Sequence, residues 1–424
     1  MKKQNEQRLV PKLRFKGFSE DWEQCKFEKL LDYDDGIRRG PFGSALKKEY
    51  FVQNSDYVVY EQNNAISNHF KTRYKITEEK FKELHKFELL PGDFIMSGAG
   101  TIGRVSLVPP NISRGVINQA LIRIRLNETT DSGYFLEWIM SPKMQRKLTE
   151  TNPGSAMVNL VPMRELKNWK VKIPTVKEQI KISRLLNTLQ KTISLHKRKI
   201  QVLKDQKNLY LNKMFISQQG DVQLRFKGFI EPWEQRELKE IGEDYSGLSG
   251  KTKKDFGHGE SLYVPYKNIF NNHIVDVNNL EKVNVKNKQN EVKYGDIFFT
   301  ISSEIPEEVG MSSVMIENIK DLYLNSFSFG FRPHTETDLD VVFSSYLFRT
   351  PTFRKKMYIL AQGISRYNIS KTNVMKLEIA LPSINEQKKI GKMMYRLDSM
   401  ITLHNKKLNK LESLKKEYLN YLFI

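Results

Sequence analysis

Leu13-Arg14-Phe15-Lys16-Gly17-Phe18, followed by Trp22-Glu23-Gln24, returns 211 residues later as Leu224-Arg225-Phe226-Lys227-Gly228-Phe229 followed by Trp233-Glu234-Gln235. A second match, at an offset of 208, joins Pro174 and Glu178-Gln179 to Pro382 and Glu386-Gln387. It runs without a gap through Leu195-His196 and Leu403-His404 to Phe215-Ile216 and Phe423-Ile424. Between these anchors only scattered points agree, such as Gly92-Asp93 with Gly295-Asp296, or Gly154 and Asn159 with Gly363 and Asn368. A period this long is no solenoid repeat, so the chain reads as one unit written twice, a tandem pair related by an approximate two-fold axis.

The tail of each half carries the same stripe. Bulky positions fall at Ile182, Leu186, Leu189, Ile193, His196, Ile200, Leu203, Lys207, Tyr210 and Met214, in alternating steps of four and three that define a coiled-coil heptad. The second tail repeats them at Ile390, Met394, Leu397, Ile401, His404, Leu408, Leu411, Lys415, Tyr418 and Leu422. Each stripe is the other's natural partner. The first helix ends near Ile216 and enters the second globular part, while the second helix leaves that part near Ser383, so the pair is expected to run antiparallel. At about 40 residues each they would span roughly 60 Å and serve as a spacer. With coincident midpoints, His196 faces His404, Leu186 faces Lys415 and Met394 faces Lys207. Polar seam residues of this kind fix register, and two imidazoles without further ligands make a poor metal site.

Ahead of each tail, short β-rich runs (Tyr57 to Tyr60, Val116 to Leu126, Tyr263 to Pro265, Asp296 to Ile301) are punctuated by Gly, Asn and Pro. The expected fold is α+β. Two mixed α/β globular domains (1–172 and 218–380) are joined by two long antiparallel coiled-coil helices (173–217 and 381–424), pseudo-two-fold and nearly circular, with the termini meeting at the first domain.

The chain carries 69 Lys and Arg against 49 Asp and Glu, a formal charge of +20 that calls for a polyanionic partner, nucleic acid first. A membrane surface would require a basic amphipathic helix with exposed apolar residues or a lipidation signal, and neither is found. No leader-like or membrane-spanning apolar window is present, so a cytoplasmic, nucleoid-associated protein is expected. Cys25 is the single cysteine, which excludes an internal disulfide and a thiolate metal cluster, and no metal site is expected.

Motifs of catalysis fail on inspection. Ser249-Gly250-Lys251-Thr252 suggests a phosphate loop, but the leading glycine position is Tyr245 and no apolar strand precedes it, so a basic surface loop is expected. Gly98-Ala99-Gly100-Thr101-Ile102-Gly103-Arg104 follows the run Asp93 to Ser97 and reads as a tight connection that sets Arg104 toward a phosphate or base. Asn152-Pro153-Gly154 has only the first two letters of an adenine-methylation motif, and no nuclease carboxylate pair or His-rich nuclease motif occurs. No catalytic residue is therefore assigned. For DNA contact the expected residues in the first half are Arg38, Arg39, Lys47, Lys48, Lys71, Arg73, Arg104 and Arg114. In the second half they are Lys251, Lys253, Lys254, Lys267, Asn268, Asn271, Asn272 and Arg366, since Arg reads guanine, Asn reads adenine and Lys meets phosphate.

Taken together, Leu13-Arg14-Phe15 with Gly17-Phe18 and Trp22, its second copy, Gly40-Pro41-Phe42-Gly43-Ser44, Gly100-Thr101-Ile102-Gly103 and the two Pro-x-x-x-Glu-Gln helix entries resemble the specificity subunits of type I restriction-modification enzymes. The resemblance covers nearly the whole chain. It implies a non-catalytic subunit with two target-recognition domains, each reading half of a bipartite site in double-stranded DNA. It also implies helices that set the gap and dock two methyltransferase (modification) subunits. S-adenosylmethionine, ATP and Mg would be held by those and by restriction (translocase and nuclease) subunits, none by this chain. The second half offers Ile301-Ser302-Ser303 where the first has the Gly100 to Gly103 loop, which leaves the matching loop unassigned. The competing readings are a coiled-coil scaffold whose globular ends bind proteins, and a self-sufficient nuclease or methyltransferase.

Overall fold

The repeated Leu-Arg-Phe and Glu-Gln anchors form a clasp, built twice. In the computed structural model, which describes residues 10–98, 101–149, 162–216, 221–335 and 338–423, the Arg14 guanidinium grips Glu178 through two hydrogen bonds of 2.8 Å. Arg225 grips Glu386 likewise, at 3.0 and 2.7 Å. One residue earlier in each copy, the Leu13 N–H donates to the Tyr421 carbonyl and the Leu224 N–H to the Lys213 carbonyl. Each clasp thus joins the start of one long helix to the end of the other. The following glycine-phenylalanine pair adds a cation over a ring, Lys181 on Phe18 and Lys389 on Phe229. Of the residues singled out in the sequence, Met1 to Leu9, Ala99, Gly100, Asn152-Pro153-Gly154, Asn159 and Ile424 lie outside the described set.

By its contacts the chain divides into unit 1 (Met1–His196 with Lys407–Ile424) and unit 2 (Lys197–Lys406). The division falls within both long helices, Val176–Met214 and Ile384–Tyr421. Each half-helix is claimed by a local core. In unit 1, Ile182 and Leu186 share a cluster with Leu422 and Phe423; in unit 2, Leu203 and Met214 share one with Ile390, Met394 and Leu397. Within either unit, the early part of one helix therefore packs with the late part of the other, the antiparallel sense expected from the heptads. Leu189, Ile193 and Ile200 are buried and His196, Ile401, His404, Leu408 and Leu411 half-buried, so the 3.5-residue stripe is the inward face throughout.

Both units repeat one sheet plan. Unit 1 has a four-stranded antiparallel sheet of β2 (Ile37–Arg39), β8 (Leu121–Ile124), β5 (Phe94–Ser97) and β6 (Val105–Leu107) in that order. Beside it β4 (Tyr74–Ile76), β3 (Tyr57–Tyr60) and β7 (Gly115–Ile117) form three strands with β3 and β7 parallel, and β1 (Glu23–Lys26) pairs with β9 (Lys170–Ile173). Unit 2 matches strand for strand. Its four-stranded sheet is β11 (Gly242–Ser246), β18 (Ser328–Pro333), β14 (Ile297–Thr300) and β16 (Ser312–Val314). Its three-stranded sheet is β13 (Glu281–Val283), β12 (Phe256–Val264) and β17 (Leu322–Leu324), and β10 (Glu234–Glu237) pairs with β20 (Glu378–Leu381). In unit 2 a further short pair is described, β15 (Ser302–Ser303) with β19 (Tyr367–Asn368).

The run Val116 to Leu126, read from sequence as one β-rich stretch, is two strands in different sheets. Asn118 turns the chain between them, its side chain accepting from the Ala120 N–H, and Asn325 does the same between β17 and β18 by accepting from Phe327. The matched Gly-Asp anchors are buried ion pairs. Asp93 accepts from Arg125 at 2.7 and 2.9 Å, and Asp296 accepts from Arg332 at 2.8 and 2.7 Å, each pair tying the middle of its four-stranded sheet to the loop before it. Among the described residues, no helix is long and apolar enough to cross a membrane.

Candidate nucleic-acid interface

Close backbone approach fixes one end of each four-stranded sheet. A Cβ on Gly40 would stand 1.8 Å from the Asn118 carbonyl oxygen, and one on Gly247 2.1 Å from that of Asn325, so only glycine admits these crossings. This makes Gly40-Pro41-Phe42-Gly43-Ser44 and Gly247-Leu248-Ser249-Gly250-Lys251 equivalent loops. The phosphate-loop-like segment of the second half is therefore the partner of a plain connecting loop, and its Lys251 ammonium donates to the Asn284 carbonyl at 2.7 Å.

A second loop arrives at the same end. In unit 1 it leaves β5 at Ser97 and closes at Gly103, whose N–H donates to the Ser97 carbonyl; in unit 2 Gly310 donates in the same way to Thr300. Both glycines have positive φ, 76° and 67°. The loop that seemed missing from the second half is thus present, with nine residues (301–309) where the first half has five (98–102). The insertion carries β15 and the turn Pro306–Glu308. Each loop is anchored from the helix that follows: Gln145 donates to the Gly103 carbonyl, and Arg354 donates to the carbonyls of Glu307, Val309 and Gly310. Arg349 similarly holds the carbonyls of Ile269, Phe270, Asn272 and Ser312. Burial lowers both guanidinium groups to about 10, still charged at neutral pH. They are scaffold, cations neutralised by converging carbonyl dipoles.

The expected DNA-facing residues of unit 1 fall into two groups. Arg39 reaches the Gln119 carbonyl beside the Asn118 turn, Lys47 and Lys48 follow the Gly40 loop, and Arg104 leaves the Gly103 loop exposed. Arg73 pairs with Glu61 at 2.9 Å just past β3, and Lys71 is exposed nearby in sequence. Tyr60, which precedes Glu61, accepts from the Asn118 N–H, so Arg73 belongs to this sheet end. Lys47 also meets Glu49 at 3.6 Å. Arg38 and Arg114 stand apart. Arg38 donates to Asp35, in a cluster with Arg123 and Arg125, and Arg114 sits at the start of β7, held by Glu88 and lying over Phe81.

In unit 2, Lys253 and Lys254 are exposed on a turn, as are Lys267 and Asn271 on the helix Tyr266–Asn271. Asn268 is not available as expected. It is 5% exposed, its amide donating to the carbonyls of Asp276 and Asn279 while its oxygen accepts from the Asp276 N–H and from the Asn272 amide, which spends the Asn268 side chain on the loop itself. Arg366 is exposed and lines a cleft of about 330 Å³ with Tyr266, Ser303, Glu308 and Phe327. The sequence reading missed these last four, having searched for basic and amide residues. Of the four, Phe327, at 59% exposed, is apolar surface left on a loop, as are Phe42 at 90% and Ile364 at 96%. A cleft combining a guanidinium, a carboxylate, hydroxyls and an aromatic face offers each contact type that base edges use.

Known proteins place this geometry. The family model described as "Type I restriction modification DNA specificity domain" matches twice, over residues 20–205 and 230–413. The type I restriction enzyme MjaVIII specificity subunit of Methanocaldococcus jannaschii is 22% identical over 95% of this chain and 92% of its own. The putative MjaX specificity subunit of the same organism is 22% identical over 95% and 93%. Among solved structures, the type I restriction-modification S subunit from M. genitalium aligns with TM-score 0.57 at 17% identity, covering 98% of this chain and 99% of that one. The HsdS subunit from Thermoanaerobacter tengcongensis aligns with TM-score 0.50 at 14% identity over 95% and 96%. With both repeats matched by the family model and the shared fold borne out by solved S subunits, the chain belongs to the type I restriction-modification specificity subunits.

Proposed function

We propose that the chain reads a bipartite sequence in double-stranded DNA, one half-site per unit, and acts without chemistry of its own. The observation that carries this is the contrast between a duplicated scaffold and unlike loops at equivalent sheet ends. The clasps, the Gly-Asp ion pairs and the Asn turns recur, whereas unit 1 presents Arg39, Phe42 and Arg104 and unit 2 presents the Arg366, Glu308 and Phe327 cleft. A shared frame with unlike tips fits two readers of two different words. Exposed lysines of the same loops supply salt-dependent phosphate contacts, and a few side chains at the tips supply base discrimination, each worth roughly 1 to 3 kcal/mol.

On this reading the partners are two modification subunits that bind S-adenosylmethionine and methylate adenine, and restriction subunits that use ATP and Mg. The work is done in the cytoplasm on chromosomal and incoming DNA. Mapping methylated adenines in cells with and without the gene tests it. The expected result is loss of one interrupted motif; an unchanged methylome in cells that express the modification subunits would refute it.

A further inference from the structure

The two units carry a groove at the same place, and the two grooves are chemically unlike. In unit 1 it lies between β9, the helix Pro142–Thr149 and the residues around Leu419, with a volume of about 670 Å³. Five cations line it: Lys143, Arg146, Lys147, Lys170 and Lys172. Among the described residues no carboxylate does, and none of the four lysines has a carboxylate partner. Lys147 rests instead 4.4 Å over the ring of Trp169, where burial lowers its pKa. The floor is apolar, formed by Met144, Leu419 and Phe423.

The equivalent groove of unit 2 is small, with a volume of about 50 Å³, and its one cation and one carboxylate, Lys356 and Glu378, leave it without net charge. Thr352 stands at the place of Lys143, Glu378 at that of Lys170 and Ala380 at that of Lys172, as the matching β1–β9 and β10–β20 registers and the two Ser/Thr-Pro helix starts require. Lys356, the counterpart of Lys147, is folded back onto the Glu378 carbonyl at 2.6 Å. Duplication has thus kept the crease and given only one copy a net charge.

We propose that the unit 1 groove docks an acidic peptide segment bearing apolar side chains, carried by a partner protein and bound once per chain. The four lysines, without a carboxylate partner among the described residues, demand anions, and the volume is that of a site for several side chains. The floor decides between polyanions: a DNA backbone would meet the lysines but has nothing apolar to set against Met144, Leu419 and Phe423, whereas a peptide alternating acids with Leu or Phe satisfies both. The single charged copy gives a chain of two similar units one asymmetric attachment point.

The test is fluorescence anisotropy of the full chain with a labelled peptide in which glutamates alternate with Phe and Leu. At physiological salt the Lys143→Glu, Lys172→Glu double variant is expected to bind at least about tenfold more weakly, Lys356→Glu like the parent, and a peptide with Gln for every Glu about tenfold more weakly. Lys143→Gln with Lys172→Gln keeps the test open if charge reversal impairs folding, judged by thermal melting; it should weaken binding in the same direction. Peptide affinity indifferent to these substitutions overturns the proposal. So does a double variant that keeps the peptide but loses non-specific duplex binding, which would make the groove a phosphate-backbone site.

Discussion

Glu178 and Glu386 are 1% and 0% exposed, and each depends on a single arginine for its charge balance. Removing that arginine leaves a buried carboxylate without a partner, a change that costs about 3 to 5 kcal/mol where it has been measured in other proteins. Arg14→Ala or Arg225→Ala should therefore lower the urea midpoint far more than Arg39→Ala, which touches only an exposed carbonyl contact. The neighbouring Gln179 and Gln387 complete the clasp by accepting from the N–H of Asp131 and Asp340, residues that cap the next helix of each unit. Asp398 supplies a pH-dependent counterpart. Burial pushes its carboxyl up, but hydrogen bonds from His273, Lys207 and Tyr346 outweigh this and hold it at about 2, below the ordinary 3.8. A depressed folded-state value means the contribution is complete above about pH 4 and is lost as pH falls through about 2, amounting to roughly 2 kcal/mol. Asp398→Asn should flatten that part of the stability profile, read from denaturation midpoints across the acid range. None of these tasks was visible in the sequence. The Glu-Gln signature could be found by its repetition, but that Glu serves an arginine some 160 residues away and Gln a helix start is a fact of folding, not of spacing.

The two long helices exchange charges in a way that neither shows alone. In unit 1, Lys415 donates to Glu137 and to Gln190; in unit 2, its counterpart Lys207 donates to Asp398, which also takes the Tyr346 hydroxyl. Gln190 and Asp398 occupy equivalent places, as do Glu137 and Tyr346, so the one carboxylate has moved from the short helix to the long one while the lysine stayed. The pairing lies one turn along from the expected contacts of Lys207 with Met394 and of Lys415 with Leu186, because a long side chain reaches past its own level to the nearest acid. If the carboxylate's position is interchangeable, Asp398→Gln and Tyr346→Glu should together destabilise by less than their separate effects, with a coupling of about 0.5 to 3 kcal/mol in a double-mutant cycle. Helices were the most legible elements: a heptad repeated at a constant offset left no other use for Ile182, Leu186, Ile390 and Met394. Strands were less so. The Val116 to Leu126 run hid a sheet change at Asn118, and the four extra residues before Gly310 erased the alignment that would have revealed its loop. Loop length is free to drift while the closing hydrogen bond stays, so sequence offset loses the match that geometry keeps.

For the molecule as a whole, a charge of +20 gives affinity without sequence, and specificity must come from a minority of contacts that release no counterions. The two contributions can be separated by experiment. Lys253→Ala with Lys254→Ala removes exposed cations and should reduce the slope of log affinity against log salt by about two, leaving both half-site sequences unchanged. Arg366→Ala or Glu308→Gln, in the unit 2 cleft, should leave that slope nearly unaltered and relax one or two positions of a single half-site, since a lost bidentate base contact costs roughly 1 to 3 kcal/mol of discrimination. Selection of binders from a random duplex pool reads both quantities at once. Unit 1 and unit 2 each have their own clasp, ion pair and sheet set, so a substitution in the unit 2 cleft is expected to act on one half-site. Relaxation of both half-sites by Arg366→Ala would mean that Arg366 supports the fold rather than reads a base, and an unchanged motif would remove the cleft from the interface.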